Sequence, residues 1–321
     1  MASTSQNGIP EPVRQHGRTI IYTILISTFL FLLKIWTSGR TNPTQQPLHG
    51  KVVMMTGGTS GIGAQAAVGL AKQGAQLVLL TQVHPTDPFL VEYIQDLRQK
   101  TNNHMIYTEQ VDLSSFYSIR TFATKWIDNA PPRRLDMIIL CAGALTPPGG
   151  KRRETDEGIE ETWMVNFLAN FHLLGILSPA LRAQPIDRDV RVIIPTCSSY
   201  IASPSLKDPV SKANWTPSTA YARSKLALNT LVLPRTPSTR RWLTRGSLWG
   251  LAAYLTGYIV PWFLLKSPHM AAQSILYAAM DNEFARGSGG KLIKECMEVD
   301  FARKEVKDDD VARSCGRRVI L

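Results

Sequence analysis

The sequence predicts an α/β fold in which helices cover both faces of a doubly wound parallel sheet. Two observations lead to this prediction. Apolar, strand-like runs alternate with helix-like segments between residues 52 and 196, and the first strand leads directly into a glycine-rich turn and a helix. Such alternation is typical of parallel sheets, because each crossover lays a helix over one face. We expect the folded domain to span residues 51–300, within a chain of 321 residues.

The elements follow in order along the chain. The first strand, beginning at Val52, gives way at Gly57 to a helix over residues 62–72. Further strands are predicted over 76–81, 104–111, 135–141, 190–196 and, last in the chain, 290–297. Further helices are predicted over 86–100, 115–129, 158–182, 219–230 and 266–277.

The turn after the first strand is a predicted phosphate-binding site. Gly57, Gly61 and Gly63 have the spacing Gly-x-x-x-Gly-x-Gly, a variant of the dinucleotide-binding pattern with a wider first interval. Glycine permits positive φ, and the missing Cβ lets backbone N–H groups approach a pyrophosphate. The positive end of the following helix favours the same anion. The alternative interpretation is a flexible turn without a ligand.

A second pattern lies about 160 residues later. Tyr221 and Lys225 are four residues apart in a helix-like segment, so both side chains lie on one helix face. A tyrosine hydroxyl titrates at about 10 in water, and a nearby ammonium is expected to lower that pKa towards base catalysis at neutral pH. The pair Ser198-Ser199 stands between the two patterns, directly after a predicted strand.

Together these residues resemble the short-chain dehydrogenase/reductase family, most closely its membrane-associated, retinol-dehydrogenase-like branch. The resemblance covers residues 50–230 and 266–300. It implies a Rossmann-like fold and four catalytic residues: Asn166, Ser199, Tyr221 and Lys225. It also implies a nicotinamide dinucleotide site formed by Thr56, Gly57, Thr59, Ser60, Gly61, Ile62, Gly63, Gln82, Asp112, Leu113, Cys141, Ala142, Gly143, Tyr221 and Lys225.

The resemblance implies a reaction as well. Tyr221 exchanges a proton with the substrate oxygen, and Lys225 binds the nicotinamide ribose and lowers the pKa of Tyr221. Ser199 hydrogen-bonds the substrate oxygen, and Asn166 supports a water chain. The expected function is NAD(P)-dependent interconversion of an alcohol and a carbonyl on a hydrophobic substrate such as a lipid, retinoid or sterol, without a metal. A homodimer is possible.

The cofactor preference depends on the end of the second strand. An acidic residue there favours NAD, because it binds the ribose 2′-hydroxyl, whereas an arginine favours NADP. Thr81 and Gln82 supply neither. The missing acid, together with the family branch, favours NADP(H) weakly over NAD(H).

The chain departs from the family pattern after Lys225, where about twenty family residues are absent. Leu231–Leu233 could be a stub of the sixth strand, but only five residues separate it from Lys225, and a parallel crossover needs a dozen or more. Either the sheet closes differently or the chain is a shortened product. This departure keeps a second hypothesis open, namely a catalytically impaired, membrane-anchored scaffold.

The amino terminus is predicted to anchor the protein in a membrane, at the endoplasmic reticulum or a lipid droplet surface. Residues 20–36 carry no charge apart from Lys34 and span about 25 Å as a helix, marginal for a bilayer core. A cleaved signal peptide is the alternative. A second apolar stretch, 247–265, is interpreted as a membrane-dipping substrate lid, with a buried helix as the alternative. The predicted organisation is an N-terminal tail (1–19), the anchor (20–36), a linker (37–50), the domain (51–300) and a charged C-terminal tail (301–321).

Composition restricts the partners. The net charge of +11 could indicate nucleic acid, but no basic stripe carries interleaved aromatic residues, so anionic lipid headgroups are the more plausible partners. The four cysteines are widely spaced without a metal-binding pattern and are predicted to be free thiols in a reducing compartment.

Overall fold

The computed structural model of the chain describes residues 11–130, 133–182, 189–206, 214–228, 266–285 and 290–303, together with Val306. Within these residues, five parallel strands form one sheet in the order β3-β2-β1-β4-β5. The strands are β1 (Val52–Thr56), β2 (Gln76–Thr81), β3 (Ile106–Gln110), β4 (Met137–Leu140) and β5 (Arg191–Ile193). The prediction of a doubly wound parallel sheet is confirmed.

The central strand sets the position of the functional cleft. Met54 of β1 is paired with Val78 of β2 on one side and with Ile138 of β4 on the other. All residues of β1 and β4 are buried, as expected for strands covered on both faces. The winding direction reverses between these two strands, and ligands of such sheets bind outside the carboxyl ends of the strands at this point.

Helices cover both faces of the sheet. Leu70, Leu79 and Leu276 belong to the buried cluster on one face, and Trp126 and Leu173 belong to the cluster on the other. The helices of the domain are α2 (Gly61–Lys72), α3 (Pro88–Thr101), α4 (Phe116–Ile127), α5 (Glu161–Trp163), α6 (Ala169–Arg182), α7 (Pro217–Leu228) and α8 (Pro268–Met280). A π-helical segment, Met164–Leu168, joins α5 to α6.

The prediction of a single last strand over residues 290–297 is wrong. The structure instead forms a separate antiparallel hairpin from β6 (Leu292–Lys294) and β7 (Met297–Val299). Glu295 and Cys296 reverse the chain, with φ of 53° and 57°. Two successive residues with positive φ match the right-handed twist of a hairpin. Neither residue is glycine, so the sequence carried no ordinary turn signal.

Three further sequence predictions fall on residues outside those described. They are the sixth strand at Leu231–Leu233, the lid over 247–265 and most of the charged tail. Three of the four cysteines, Cys141, Cys197 and Cys296, are described, and all three are free thiols as predicted.

The amino-terminal helix α1 spans Glu11–Ser38 and is longer than the predicted anchor. Its portion Thr19–Ser38 is long and apolar enough to cross a membrane, and none of it is buried. The segment Glu161–Arg182 has a similar length and composition, but 44% of it is buried. We therefore regard Glu161–Arg182 as a core helix and Thr19–Ser38 as the membrane candidate.

The linker after α1 is attached to the domain. The backbone N–H of Asn42 donates to Gln273 Oε1 over 3.0 Å, and Thr44 Oγ1 donates to Asp281 Oδ2 over 2.6 Å. Leu48 is buried in the core. These contacts place the linker along α8, so the end of the membrane candidate has a defined position on the domain.

Candidate active site

A cleft of about 510 Å³ opens at the carboxyl ends of the sheet strands. All but one of the predicted cofactor residues line it. Those that line it are Gly57, Thr59, Ser60, Gly61, Ile62, Gly63, Gln82, Asp112, Leu113, Cys141, Ala142, Gly143, Tyr221 and Lys225. The exception is the buried Thr56, whose hydroxyl accepts a hydrogen bond of 3.1 Å from the Ala142 N–H and so joins the ends of β1 and β4.

The glycine turn has no room for side chains. Gly57 has φ of +67°, and a Cβ there would lie 2.8 Å from backbone atoms of Ala142. A Cβ on Gly63 would lie 2.1 Å from the carbonyl oxygen of Gly57. The backbone is therefore open to the cleft at the N-terminal end of α2, which is the geometry that a pyrophosphate requires.

A tyrosine that the sequence did not single out supports this turn. Tyr93 in α3 donates a hydrogen bond of 2.9 Å to the carbonyl oxygen of Gly58. Burial, and to a lesser degree the charge of Asp96, raise the pKa of Tyr93 to about 12, so its hydroxyl remains a donor at neutral pH. No local pattern identifies this role, because the two residues are 35 positions apart.

The predicted adenine end of the cleft contains an ordered carboxylate. Asp112 accepts hydrogen bonds from the Ser114 N–H at 2.8 Å and from Gln82 Nε2 at 3.1 Å. Burial raises the pKa of Asp112, but the hydrogen bonds from Ser114 and Gln82 outweigh it and lower the pKa below its usual value. The group is therefore an ionised acceptor at neutral pH.

Asn166 connects the loop after β4 to α7, next to the cleft. It lies in the π-helical segment and is fully buried. Its Oδ1 accepts from the Ala144 N–H at 2.7 Å, and its Nδ2 donates to the Ala144 carbonyl at 3.0 Å and to Ser224 Oγ at 2.9 Å. Both amide hydrogens are thus used to hold the loop after β4 against α7. The predicted water chain stays a prediction.

Tyr221 and Lys225 both lie on α7 and face the cleft, as their spacing predicted. The Lys225 ammonium is 5.6 Å from the centre of the Tyr221 ring. Burial raises the pKa of Tyr221, and the neighbouring Cys197 raises it further. Burial also lowers the pKa of Lys225. Within the cleft, desolvation therefore outweighs the predicted lowering of the tyrosine pKa by the lysine.

The serine pair does not line this cleft. Ser198 is exposed, and among the described residues between β5 and α7, those that line the cavity are Pro195, Thr196 and Cys197. The Ser199 hydroxyl lies 2.9 Å from Cys197 Sγ, and that sulfur lies 3.6 Å from Tyr221 Oη. The structure therefore brings Tyr221 and Lys225 together and places a cysteine between the predicted serine and the tyrosine.

Comparison with known proteins decides the family. A family model described as short chain dehydrogenase matches residues 51–233. The chain belongs to the short-chain dehydrogenase family. It is an oxidoreductase of that family, and the fold that it adopts is one that binds a nicotinamide dinucleotide.

Several relatives of this short-chain dehydrogenase cover most of its length. An uncharacterized oxidoreductase, pbr1, from Schizosaccharomyces pombe is 41% identical and covers 93% of this chain and 87% of its own. Retinol dehydrogenase 13 from Homo sapiens is 30% identical, with coverage of 88% and 87%. Polyprenol dehydrogenase from Mus musculus is 28% identical, with coverage of 80% and 79%.

A solved structure supports the fold. The Pseudomonas aeruginosa RhlG/NADP active-site complex superimposes with a TM-score of 0.54 over 76% of this chain and 96% of its own, at 21% identity. At this identity the likeness concerns the architecture of the short-chain dehydrogenase domain.

Cys197 is one of the residues of this short-chain dehydrogenase cleft that the sequence analysis did not assign to the site. One signal was available, because Cys197 follows a predicted strand closely, and the carboxyl ends of parallel strands face the ligand. The resemblance directed attention to Ser199 instead, two residues further along the chain.

Proposed function

We propose that this protein is a membrane-bound, NAD(P)-dependent oxidoreductase that interconverts an alcohol and a carbonyl on a hydrophobic substrate. One observation carries the proposal: Tyr221 and Lys225 share a single cleft with the glycine turn. A dinucleotide held by that turn would share the cleft with the pair, and a proton donor beside a hydride site is what carbonyl reduction needs.

The residues of the cleft fit a dinucleotide. The side-chain-free surface at Gly57 and Gly63 and the start of α2 suit the pyrophosphate. Asp112, as an ionised acceptor, suits the adenine amino group, and Lys225 suits the hydroxyls of the nicotinamide ribose. When bound, the nicotinamide supplies a hydride to the carbonyl carbon or accepts one from the alcohol carbon.

Tyr221 is the proposed proton donor in reduction and the proton acceptor in oxidation. Its raised pKa keeps the hydroxyl protonated at neutral pH, so it can donate to a carbonyl oxygen during reduction. Oxidation of an alcohol requires the phenolate, which the positive charge of an oxidised nicotinamide and of Lys225 would favour. Asn166 is a positioning residue here, because its hydrogen bonds hold Ser224 in the turn of α7 between the tyrosine and the lysine.

NADP(H) is the favoured cofactor. The cleft residues at the end of β2 are Leu80, Thr81, Gln82 and Val83, none of which is acidic. A 2′-phosphate therefore meets no carboxylate from this strand, whereas the 2′-hydroxyl of NAD(H) lacks its usual acidic partner. We expect the dissociation constant of NADPH to be lower than that of NADH. A lower dissociation constant for NADH would contradict this preference.

A hydrophobic substrate reached from the membrane agrees with the placement of the linker. A small cavity of about 30 Å³ is lined by Arg40 of the linker and also by Ile62 and Thr196, which both border the main cleft. The end of the membrane candidate and the cleft are therefore close neighbours. The relatives named for retinol and polyprenol point to the same substrate class. The endoplasmic reticulum or a lipid droplet surface is the proposed location, and a homodimer stays a prediction.

The test is turnover by full-length protein in detergent or vesicles, with NADPH oxidation followed on a panel of lipid aldehydes and ketones. Tyr221→Phe and Lys225→Ala are each expected to abolish turnover while thermal unfolding stays cooperative. Tyr107→Phe is the matched control, because Tyr107 is 48% exposed on β3 and does not line the cleft. Near-normal rates for Tyr221→Phe would refute the acid/base role. Tight NADPH binding without turnover of any substrate would favour the impaired scaffold.

A further inference from the structure

The β6–β7 hairpin lies beside the point where the membrane candidate ends. Helix α1 ends at Ser38, and Arg40 follows two residues later. Cys296 Sγ, in the turn of the hairpin, is 4.0 Å from the carbonyl oxygen of Arg40. The Arg40 guanidinium in turn donates to Met297 Sδ over 2.9 Å. The hairpin therefore contacts the chain directly after the apolar helix.

An ion pair connects the same turn to the start of α8. Lys266 Nζ donates to Glu295 Oε1 over 2.6 Å, and both side chains lie next to Gly39. Asn42 and Thr44 of the linker bond to residues of α8 and to the residue that follows it. The hairpin turn, the start of α8 and the linker are thus packed together, so the hairpin has a defined position relative to the end of α1.

The length of the apolar helix locates this turn relative to a bilayer. The 20 residues of Thr19–Ser38 form a helix about 30 Å long, which matches a hydrocarbon core of about 30 Å. Trp36 near its end is 81% exposed, and tryptophan is enriched at the membrane–water interface. The headgroup layer extends about 5–8 Å beyond the core. With Thr19–Ser38 spanning the core, Arg40 and the hairpin turn that contacts it lie in this layer.

The residues at this level carry an excess of positive charge. A hydrogen bond from Lys266 lowers the pKa of the Glu295 carboxyl, burial opposes this effect, and the charges of Lys266, Lys294 and Arg40 lower the pKa further. Three cations therefore surround one ionised carboxylate, which leaves a local net charge of +2. Arg40 and Lys294 are both exposed, so their charges face the surroundings. Cations in the headgroup layer are attracted to anionic lipids.

We propose that Arg40 and the turn of the β6–β7 hairpin form a second membrane contact that binds the headgroups of anionic phospholipids. The inference rests on the membrane-bound state in the proposed function. Arg40 and Lys294 bind headgroup oxygens, and Met297, which is 39% exposed, adds an apolar side chain beside them. Arg40 also borders the small cavity that adjoins the main cleft, so this contact holds the cleft close to the membrane surface.

The first experiment maps the lipid contact by photocrosslinking. Full-length protein containing photo-methionine, a diazirine analogue of methionine, is placed in nanodiscs of phosphatidylcholine and phosphatidylserine and irradiated, and lipid adducts are quantified by mass spectrometry. Met297 is expected to carry at least several-fold more adduct than Met105. Met105 is the matched control, because it is 40% exposed but lies directly before β3, at the opposite edge of the sheet from the cleft. Equal adduct yields at the two methionines would overturn the proposal.

The second experiment tests the requirement for anionic lipid. Lysines of the full-length protein are acetylated in phosphatidylcholine nanodiscs with and without phosphatidylserine. Acetylation of Lys294 is expected to slow at least several-fold with phosphatidylserine, and this protection should weaken at high salt. Lys100, with 64% of its side chain exposed at the end of α3, is the control and should react equally in both. Equal rates at Lys294 would overturn the proposal, as would full protection by inorganic phosphate in phosphatidylcholine nanodiscs, since the ligand would then be a free anion.

These measurements need no turnover, so they separate the membrane contact from the proposed reaction. Recovery of the protein with the nanodiscs reports the anchor alone. Failure to recover the protein with nanodiscs would overturn both the membrane-bound state and this contact. Lipid adducts at Met297 together with protection of Lys294 would support the contact, even if no lipid carbonyl were reduced, and the missing turnover would then count against the proposed reaction.

Discussion

The substitution Gly63→Ala tests the phosphate-binding turn most directly. Gly63 is buried at the start of α2, and a Cβ built there lies 2.1 Å from the carbonyl oxygen of Gly57. Non-bonded carbon and oxygen atoms ordinarily approach to roughly 3.2–3.5 Å, so the turn must open by about 1 Å or more. The obstructing atom belongs to the backbone, and no change of rotamer can remove the conflict.

The size of the effect follows from this displacement. Hydrogen bonds from the turn to a pyrophosphate are about 2.9 Å long, and an added 1 Å takes them beyond useful range. A misplacement of about 1 Å costs on the order of 100-fold, so NADPH affinity should fall by about that factor. Crowding of this kind also lowers the free energy of unfolding by about 1–3 kcal/mol.

The assay is a fluorescence titration of full-length protein with NADPH, paired with thermal unfolding. Gly175→Ala in α6 is the matched control, because a Cβ there meets nothing within 4 Å. The control should bind NADPH normally and gain about 0.5–1 kcal/mol of stability from its helix propensity. If Gly63→Ala bound NADPH within twofold of the wild type, the proposed position of the pyrophosphate would be wrong.

Three further outcomes are expected. Because burial raises the pKa of Tyr221, the rate of carbonyl reduction should stay constant from about pH 6 to about pH 9, while the rate of alcohol oxidation should rise with pH. A reduction rate that already decreases as the pH rises from about 6 to about 8 would contradict this expectation. Asp136→Asn should lower the free energy of unfolding by about 1–3 kcal/mol in a denaturant titration and leave NADPH affinity unchanged. The reason is that the buried Asp136 carboxylate accepts hydrogen bonds from the Val52 N–H and from Arg134. Unchanged stability would show that these hydrogen bonds contribute little. Removal of residues 1–36 should release the protein from alkali-washed membranes, and retention would place the membrane contact elsewhere in the chain.

The parts of the fold that the sequence predicted well are those with local causes. The strand predicted over 76–81 is observed as Gln76–Thr81, and the Tyr221–Lys225 pair lies on one helix face. Alternation of apolar runs, glycine spacing and the period of the helix each depend on a few neighbouring residues. For the same reason the β6–β7 hairpin was missed, because its turn residues, Glu295 and Cys296, are not typical of turns.

The electrostatics of the cleft required the tertiary structure. The spacing of Tyr221 and Lys225 suggested that the lysine lowers the pKa of the tyrosine. Burial instead raises the pKa of Tyr221 and lowers that of Lys225. Desolvation depends on all the elements packed around a group, and the sequence distance between two residues contains no information about it.

By itself, the sequence determined the sheet class, the glycine turn, the acid/base pair and the apolar amino-terminal helix. Only the tertiary structure decided which side chain at the end of β5 faces Tyr221. The structure places Cys197 Sγ 3.6 Å from Tyr221 Oη, and it buries the neighbouring Tyr200, whose hydroxyl accepts from the N–H of Ala302 about a hundred residues away. Contacts at such sequence separation are not visible in any local pattern, because they depend on how distant elements pack.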